Sequence, residues 1–331
     1  MKLPKFEYTA PRSVRDACRA LAAGDGGARA IAGGTELLTA LRNRQDHAAL
    51  LVDLGALPLD RISYAVDRGL RIGALVSLRH LAAHPLVREK FAVLAQAARA
   101  AGSVQLQAMA TLGGNLCQNT CCMYLHRATG ARQSLEPCLK LDGDVCHVVA
   151  GSARCWATYA GDLAPALLVL RATLVIADPD GEKTLPLRAL FSGDGQRPHT
   201  LHPGQIITEI RIPNTAPRSG GAYLKLRQRE TLDYPLLGVA AHVTLETGGA
   251  ICREAALALT GVDRAPVMVD EAGRLQGKLL TDESIRELAA VARKRAHAVN
   301  NVCGIPVRYR RDMVNVYAES ALRQARDAAA H

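Results

Sequence analysis

Six of the nine cysteines fall between residues 117 and 155. Cys122, Cys138, Cys146 and Cys155 are separated by 15, 7 and 8 residues, and Cys117 and Cys121 lie just upstream. Four thiolates satisfy either a tetrahedral zinc ion or a [4Fe–4S] cluster. Structural zinc sites usually draw their ligands in close C-x2–4-C pairs, which these four lack, so the wider, loop-borne spacing suits a cluster better. The stretch from 117 to 156 has no sustained period and too few apolar residues to hold itself together; a metal crosslink would supply the missing stabilisation. The bland alternative is a set of scattered core thiols, since free cysteine is commonly buried. His126 and His147 are the substitute ligands in the same stretch.

Two glycine pairs are the second chemical feature. Gly33-Gly34-Thr35 lies between a β-prone run and a segment of helical spacing. Successive N–H groups at such a turn form an anion site, and glycine lets a phosphate approach the main chain without a Cβ in the way. The turn lacks the spacing of the dinucleotide and P-loop fingerprints, so an ordinary tight turn stands beside the functional reading. Thr111-Leu112-Gly113-Gly114-Asn115 again joins two glycines to hydrogen-bonding side chains. Two separated turns of this kind could hold the two ends of one long dinucleotide.

These groups need a scaffold. The first 55 residues read as strand, helix, strand: Ala28 to Ala32, Glu36 to Arg44 with Leu37, Leu38 and Leu41 on one side, and Leu50 to Leu54. A strand at Leu70-Arg71-Ile72 follows, then Ser77 as an N-cap. Leu86 to Ala101 has helical spacing and ends at Gly102, a C-cap. After the cysteine stretch come strands at Ala172 to Ile176 and Ile206 to Ile212, with Asp178-Pro179-Asp180-Gly181 as a turn. Pro213 to Gly221 reads as a linker. Strands at Ala222 to Leu226, Leu237 to Leu245 and Ala255 to Leu259 precede helices near 265–275, 281–299 and 312–328.

The 331 residues exceed one ordinary domain, so two or three lobes are expected. Lys plus Arg outnumber Asp plus Glu, 41 to 31, for a net +10. The basic residues are scattered, densest at Arg293-Lys294-Arg295 and Arg308-Tyr309-Arg310-Arg311, and no nucleic-acid motif accompanies them. A solvated face or contacts to an acidic partner subunit account for them. The longest apolar run, Leu163 to Ala177, contains Arg171 and is too short to span a bilayer. The start has no apolar signal region, and the expectation is a cytoplasmic protein whose thiols are ligands, catalysts or core fillers.

With these turns in this order, the chain resembles the FAD-binding medium subunit of the xanthine dehydrogenase family of molybdenum hydroxylases. The matching pieces are Ile31-Ala32-Gly33-Gly34-Thr35-Glu36-Leu37-Leu38, Ala110 to Asn115, Ala160-Gly161-Asp162-Leu163-Ala164-Pro165-Ala166-Leu167, Tyr223-Leu224-Lys225 and Leu259-Thr260-Gly261-Val262. The resemblance implies an α+β fold: a two-part FAD-binding domain, with a small βαβ lobe (1–56) and a larger mixed lobe (57–215), followed by a C-terminal antiparallel-sheet-plus-helices domain (220–328). Most members place the Asp-containing segment soon after the Gly-Gly-Asn turn. Here the cysteine stretch, about 117–157, separates Asn115 from Asp162. In this it is similar to one branch, the β subunit of 4-hydroxybenzoyl-CoA reductase, whose insert carries an additional [4Fe–4S] cluster. The adjacent Cys121 competes with Cys122 for first ligand.

The resemblance also implies roles. Ile31, Ala32, Gly33, Gly34, Thr35 and Glu36 would cradle the FAD pyrophosphate; Ala110, Thr111, Gly113, Gly114 and Asn115 would hold phosphates and the ribityl chain. Asp162 would bond a sugar or ribityl hydroxyl, and Lys225 would lie near the isoalloxazine. From the residues alone, Asp162 is equally a helix N-cap and Lys225 an exposed strand lysine. The molybdenum cofactor and two [2Fe–2S] clusters would sit on a large and a small partner subunit, the whole doubled into a hexamer. Electrons would run inward from ferredoxin through the [4Fe–4S] cluster and FAD to molybdenum, for reductive dehydroxylation to benzoyl-CoA. Lys140, Arg127 and Arg154 are the candidates for tuning the cluster. The competing readings are an oxidative molybdenum hydroxylase subunit, a non-redox module with structural zinc, and a stand-alone flavin oxidase.

Overall fold

Parallel pairing at the N-terminus follows from short apolar strands separated by helices. In the computed structural model, which describes residues 2–24, 26–120, 122–127, 131, 135–230, 232–300 and 304–330, β1 (Glu7–Thr9), β2 (Ala28–Ile31) and β3 (Leu50–Asp53) form a parallel sheet of order β1-β3-β2. Helix α1 (Val14–Ala23) starts at Ser13, whose side chain accepts from the Asp16 N–H, and buries Ala17, Cys18 and Leu21 in a small core with Val52 and Leu54. Helix α2 (Leu37–Arg42) supplies Leu41 to a second pocket of core with Leu51. The strand–helix–strand reading thus holds for 28–54, and β1 and α1 are additions to it.

A five-stranded antiparallel sheet forms the second lobe: β4 (Ile62–Ala65), β5 (Gly69–Gly73), β6 (Thr173–Ala177), β7 (Glu182–Pro186) and β8 (Ile206–Ile212), in the order β4-β5-β8-β6-β7. The β6–β7 turn closes as expected, with Asp178 Oδ1 accepting from the N–H groups of Asp180 and Gly181 at 3.0 Å each. In this lobe five helices precede the cysteine stretch: α3 (Leu78–Ala83), α4 (Pro85–Lys90), α5 (Ala92–Ala100), α6 (Val104–Met109) and α7 (Leu112–Leu116). The single helix expected from Leu86 to Ala101 is two. Phe91 leaves helical dihedrals (φ −132°, ψ 47°) and is buried edge-on to Tyr64. Tertiary burial of the ring overrides local propensity there. Helix α8 (Leu163–Val169) is buried along its whole length.

The third unit is an antiparallel sheet of order β12-β11-β10-β9, built from β9 (Ser219–Leu226), β10 (Leu237–Leu245), β11 (Cys252–Thr260) and β12 (Val267–Met268). Every residue of β10 is buried because both faces are covered. Leu237, Val239, Ala241 and Val243 face α9 (Asp282–Arg295) and α10 (Val307–Ala330), while Ala240 joins the core of the second lobe. The expected helix near 265–275 is instead β12 and a 3-10 turn at Asp270–Leu275, and the expected linker ends early, since Ser219, Gly220 and Gly221 are strand residues. The basic clusters are partly consumed within the chain: Arg293 pairs with Asp312, Arg295 with Glu271, and Arg310 is buried. Among the described residues no helix is long and apolar enough to cross a membrane.

Candidate functional site

The two glycine turns line one cavity of about 950 Å³. The first turn leaves β2 at Ile31, with Gly34 at φ +67°. A Cβ on Gly33 would lie 1.9 Å from the Met109 carbonyl oxygen, so this turn rests directly against the end of α6, two residues before the second turn. Among the described residues no protein acceptor meets the backbone N–H groups of Gly33, Gly34, Thr35 or Glu36. Four consecutive free amides on a cavity wall form an anion cradle.

The second turn is built differently. Thr111 caps α7 by accepting the Gly114 N–H on Oγ1 at 3.2 Å. The Leu112 and Gly113 N–H groups donate to Val76 O and Ala74 O at 2.9 and 2.8 Å, and the Asn115 N–H donates to Thr111 O. Its amides are therefore spent on folding. Gly113 and Gly114 serve the packing of the turn, since a Cβ on either would lie 2.9 Å from Ala74 Cβ or from Thr111 Oγ1; what the turn offers the cavity is the side chain of Asn115, fixed by the Leu163 N–H on Oδ1 at 3.2 Å.

Ile31, Ala32, Thr35, Glu36, Ala110, Thr111, Asn115 and Asp162 line the same cavity as the four glycines. Asp162 is the first residue before α8 but makes no side-chain cap. Its carboxylate accepts from Tyr223 Oη at 2.6 Å and from Lys225 Nζ at 3.0 Å. Burial pushes this carboxyl up, against the pull of Lys225 and Tyr223. Lys225 is buried, not exposed, and stands behind Asp162, off the cavity wall, with a second bond to Ala100 O at 2.9 Å. Among the described residues two buried polar atoms lack a protein partner on this wall: Gln118 Nε2 and His199 Nδ1. Orphaned donors and acceptors of this kind call for a partner from outside the chain, a ligand or an ordered water. The amide cradle and these two atoms, along one long cavity, fit a dinucleotide.

Cys122, Cys138, Cys146 and Cys155 line a second, smaller cavity with Lys140 and His147. The stretch holds itself together better than its composition suggested: Cys122, Tyr124, Leu125, Cys138, Cys155 and Ala157 form a core of their own. The Leu125 and Ala157 N–H groups donate to the sulfurs of Cys122 and Cys155 at 3.3 and 3.4 Å. Burial pushes both thiols up, Cys155 to about 11, while those N–H groups and the Lys140 charge pull the other way. Among the described residues no three His, Cys, Asp or Glu side chains converge on a single ion position; the four thiols surround a cavity rather than a point. Cys121 lies outside the described residues. His147 donates or accepts at Glu136 O, 2.7 Å away, and stacks on Tyr124; His126 stacks on Tyr234.

Residues 4–215 match the model of the FAD binding domain in molybdopterin dehydrogenase, and residues 222–325 that of the CO dehydrogenase flavoprotein C-terminal domain. The chain belongs to the FAD-binding medium subunits of the molybdenum hydroxylase family. It is 35% identical over 263 residues to the FAD-binding subunit of an aldehyde oxidoreductase of Escherichia coli (strain K12), covering 74% of this chain and 78% of that one. It is 28% identical over 293 residues to the carbon monoxide dehydrogenase medium chain of Hydrogenophaga pseudoflava, covering 87% and 86%. The solved structure of that dehydrogenase shares the fold, with a TM-score of 0.81 at 24% identity over 98% of both chains. Quinoline 2-oxidoreductase from Pseudomonas putida 86 does so with 0.78 at 23% identity, over the full length of both.

In this medium subunit several wall residues escaped sequence reading. Gln118 and Asn119 lie inside a motif picked out for its cysteines, so a signal was present but unused. The wall from Gln196 to Gln205 carried none: it is irregular chain between the 3-10 turn at Leu187–Leu190 and β8, brought in by tertiary packing. Glu36, which the resemblance puts in the cradle, accepts the Asn119 N–H on its side chain at 2.8 Å. Burial pushes its carboxyl up to about 7, opposed by that bond and by Lys140.

Proposed function

We propose that this medium subunit holds one FAD across the two glycine turns and one [4Fe–4S] cluster on Cys122, Cys138, Cys146 and Cys155, as the electron relay of a molybdenum enzyme of the 4-hydroxybenzoyl-CoA reductase type. The observation that carries the reading is the pair of adjacent cavities, one edged by free backbone amides, the other ringed by four cysteines. When bound, the flavin and the cluster supply electron transfer, and the substrate chemistry belongs to a molybdenum site on another subunit. The chain's own residues do the holding. Gly33, Gly34, Thr35 and Glu36 present their N–H groups to the pyrophosphate. Asn115 and Asp162 face the sugar and ribityl hydroxyls, with Lys225 fixing the Asp162 carboxylate from behind. The four thiols serve as thiolates, and Lys140 offsets part of their charge.

On this reading the functional units are 1–56, 57–215 with its insert at about 117–157, and 220–328. The partners are a molybdenum large subunit and a [2Fe–2S] small subunit in a doubled heterotrimer, with reduced ferredoxin as donor in the cytoplasm. A second reading, an oxidative hydroxylase subunit, is favoured by the relatives, which include an aldehyde oxidoreductase and a nicotinate dehydrogenase. Anaerobic purification of the native complex, with iron, molybdenum and flavin quantified together, tests the relay. Iron beyond that of the small subunit, lost on replacing the four cysteines, is the expected result. Zinc without iron overturns it. Turnover of 4-hydroxybenzoyl-CoA with reduced ferredoxin, against oxidation of aldehydes or N-heterocycles, separates the two readings.

A further inference from the structure

Lys140 is the one described residue that lines both cavities. Its ammonium donates to Asn119 Oδ1, Thr120 Oγ1 and, at 3.2 Å, Thr120 O. Neither partner is loose. Thr120 is buried and donates to Gly195 O at 2.6 Å, and the Asn119 N–H donates to Glu36 Oε1 at 2.8 Å. The cation is therefore pinned between the segment that follows the second glycine turn and the thiol ring, two hydrogen bonds from the first turn. Its charge thus stands beside the four thiols in one cavity and beside the segment that holds Glu36 in the other. Arg127 and Arg154 are exposed and line neither cavity.

Resting on the flavin-and-cluster reading, we propose that Lys140 is the electrostatic coupling residue between the two centres. One fixed positive charge stabilises the electron on whichever centre holds it and so ties their reduction potentials together. When one electron leaves the cluster for the flavin, the charge of the first centre rises by one and that of the second falls by one; Lys140 keeps its proton throughout. Because its ammonium borders both, either reduced state gains from the same cation, in a partly dry site where charge interactions outweigh those in water.

The test is an anaerobic redox titration of the purified complex, following the cluster by electron paramagnetic resonance and the flavin by absorbance, for the unaltered protein, Lys140→Met and Lys140→Arg. In Lys140→Met the reduction equilibrium of each centre should fall at least tenfold, about 59 mV for the one-electron cluster and about 30 mV for the two-electron flavin. Lys140→Arg should restore both to within about threefold, because it keeps the charge. Full iron and flavin with unmoved potentials in Lys140→Met overturn the inference alone. Lack of iron in the unaltered protein removes the underlying reading and the inference with it. If Lys140→Met sheds its iron, the flavin potential is compared between Cys146→Ser and Cys146→Ser/Lys140→Met. A fall of about 30 mV in the double variant supports the coupling, and equal potentials overturn it.

Discussion

Lys225 on β9 reaches the carboxylate of Asp162, at the head of α8, with Nζ 3.0 Å from Oδ2 and side chains only 3% and 6% exposed. This buried pair fastens the C-terminal sheet to the wall of the larger cavity, where we place the flavin. Removing one partner leaves the other charge buried and unpaired, so Lys225→Met should cost about 3–5 kcal/mol in urea unfolding. Lys225→Met/Asp162→Asn should recover part of that loss. A cost below about 1 kcal/mol for the single change would show that the pair carries no such burden.

Gly33→Ala should empty the flavin site. Its Cβ would lie 1.9 Å from Met109 O, a backbone atom that cannot move without shifting the second turn. We expect flavin affinity to drop at least about tenfold, roughly 1.4 kcal/mol. Gly181→Ala, where a Cβ meets nothing within 4 Å, is the control. Equal flavin content in the two variants would separate the cradle from the glycine turn.

Cys146→Ser should release iron and leave FAD bound, because the thiol cavity shares only Lys140 with the cavity of the glycine turns. Iron retained at four atoms per chain after anaerobic purification would mean that the ligands are other residues.

Glu36 sets a pH dependence in the flavin-free chain. Its folded carboxyl sits at about 7, above the usual value, chiefly through burial. A raised carboxyl favours the protonated folded state, so its stabilising effect is complete below about pH 4.3 and disappears as pH climbs through about 7. Relative to Glu36→Gln, which does not titrate, the unaltered chain should lose about 3 kcal/mol between those limits. Parallel unfolding curves for the two proteins across that range would rule this out.

Arg310 is 1% exposed and donates to the carbonyls of Leu236, Val299 and Gly261. Gly261 N–H in turn donates to Tyr159 O, and Tyr159 Oη donates to Asn115 O. Arg310→Met strands three acceptors and should cost about 3 kcal/mol. Because that relay ends at the second turn, flavin content should fall as well. Unchanged flavin content in the folded variant would show that the relay stops short of the site.

The glycine pairs, the cysteine spacing and the strand from Leu237 to Leu245 were legible from the sequence because each is a local pattern, carried by residues close together in the chain. Local signals also misled. Leu86 to Ala101 has the period of one helix but breaks at Phe91 to bury a ring, and Asp162 sits where an N-cap belongs but spends its carboxylate on residues 61 and 63 positions away.

What only the tertiary structure decided is which distant pieces share a wall. Residues Gln196 to Ile207, the Asp162–Lys225 pair and the position of Lys140 between two cavities depend on how three sheets pack. The sequence determined which side chains have the chemistry and which turns the backbone can make, since both are properties of short segments. Packing determined their neighbours, because burial and charge pairing act across space between residues that no periodicity connects.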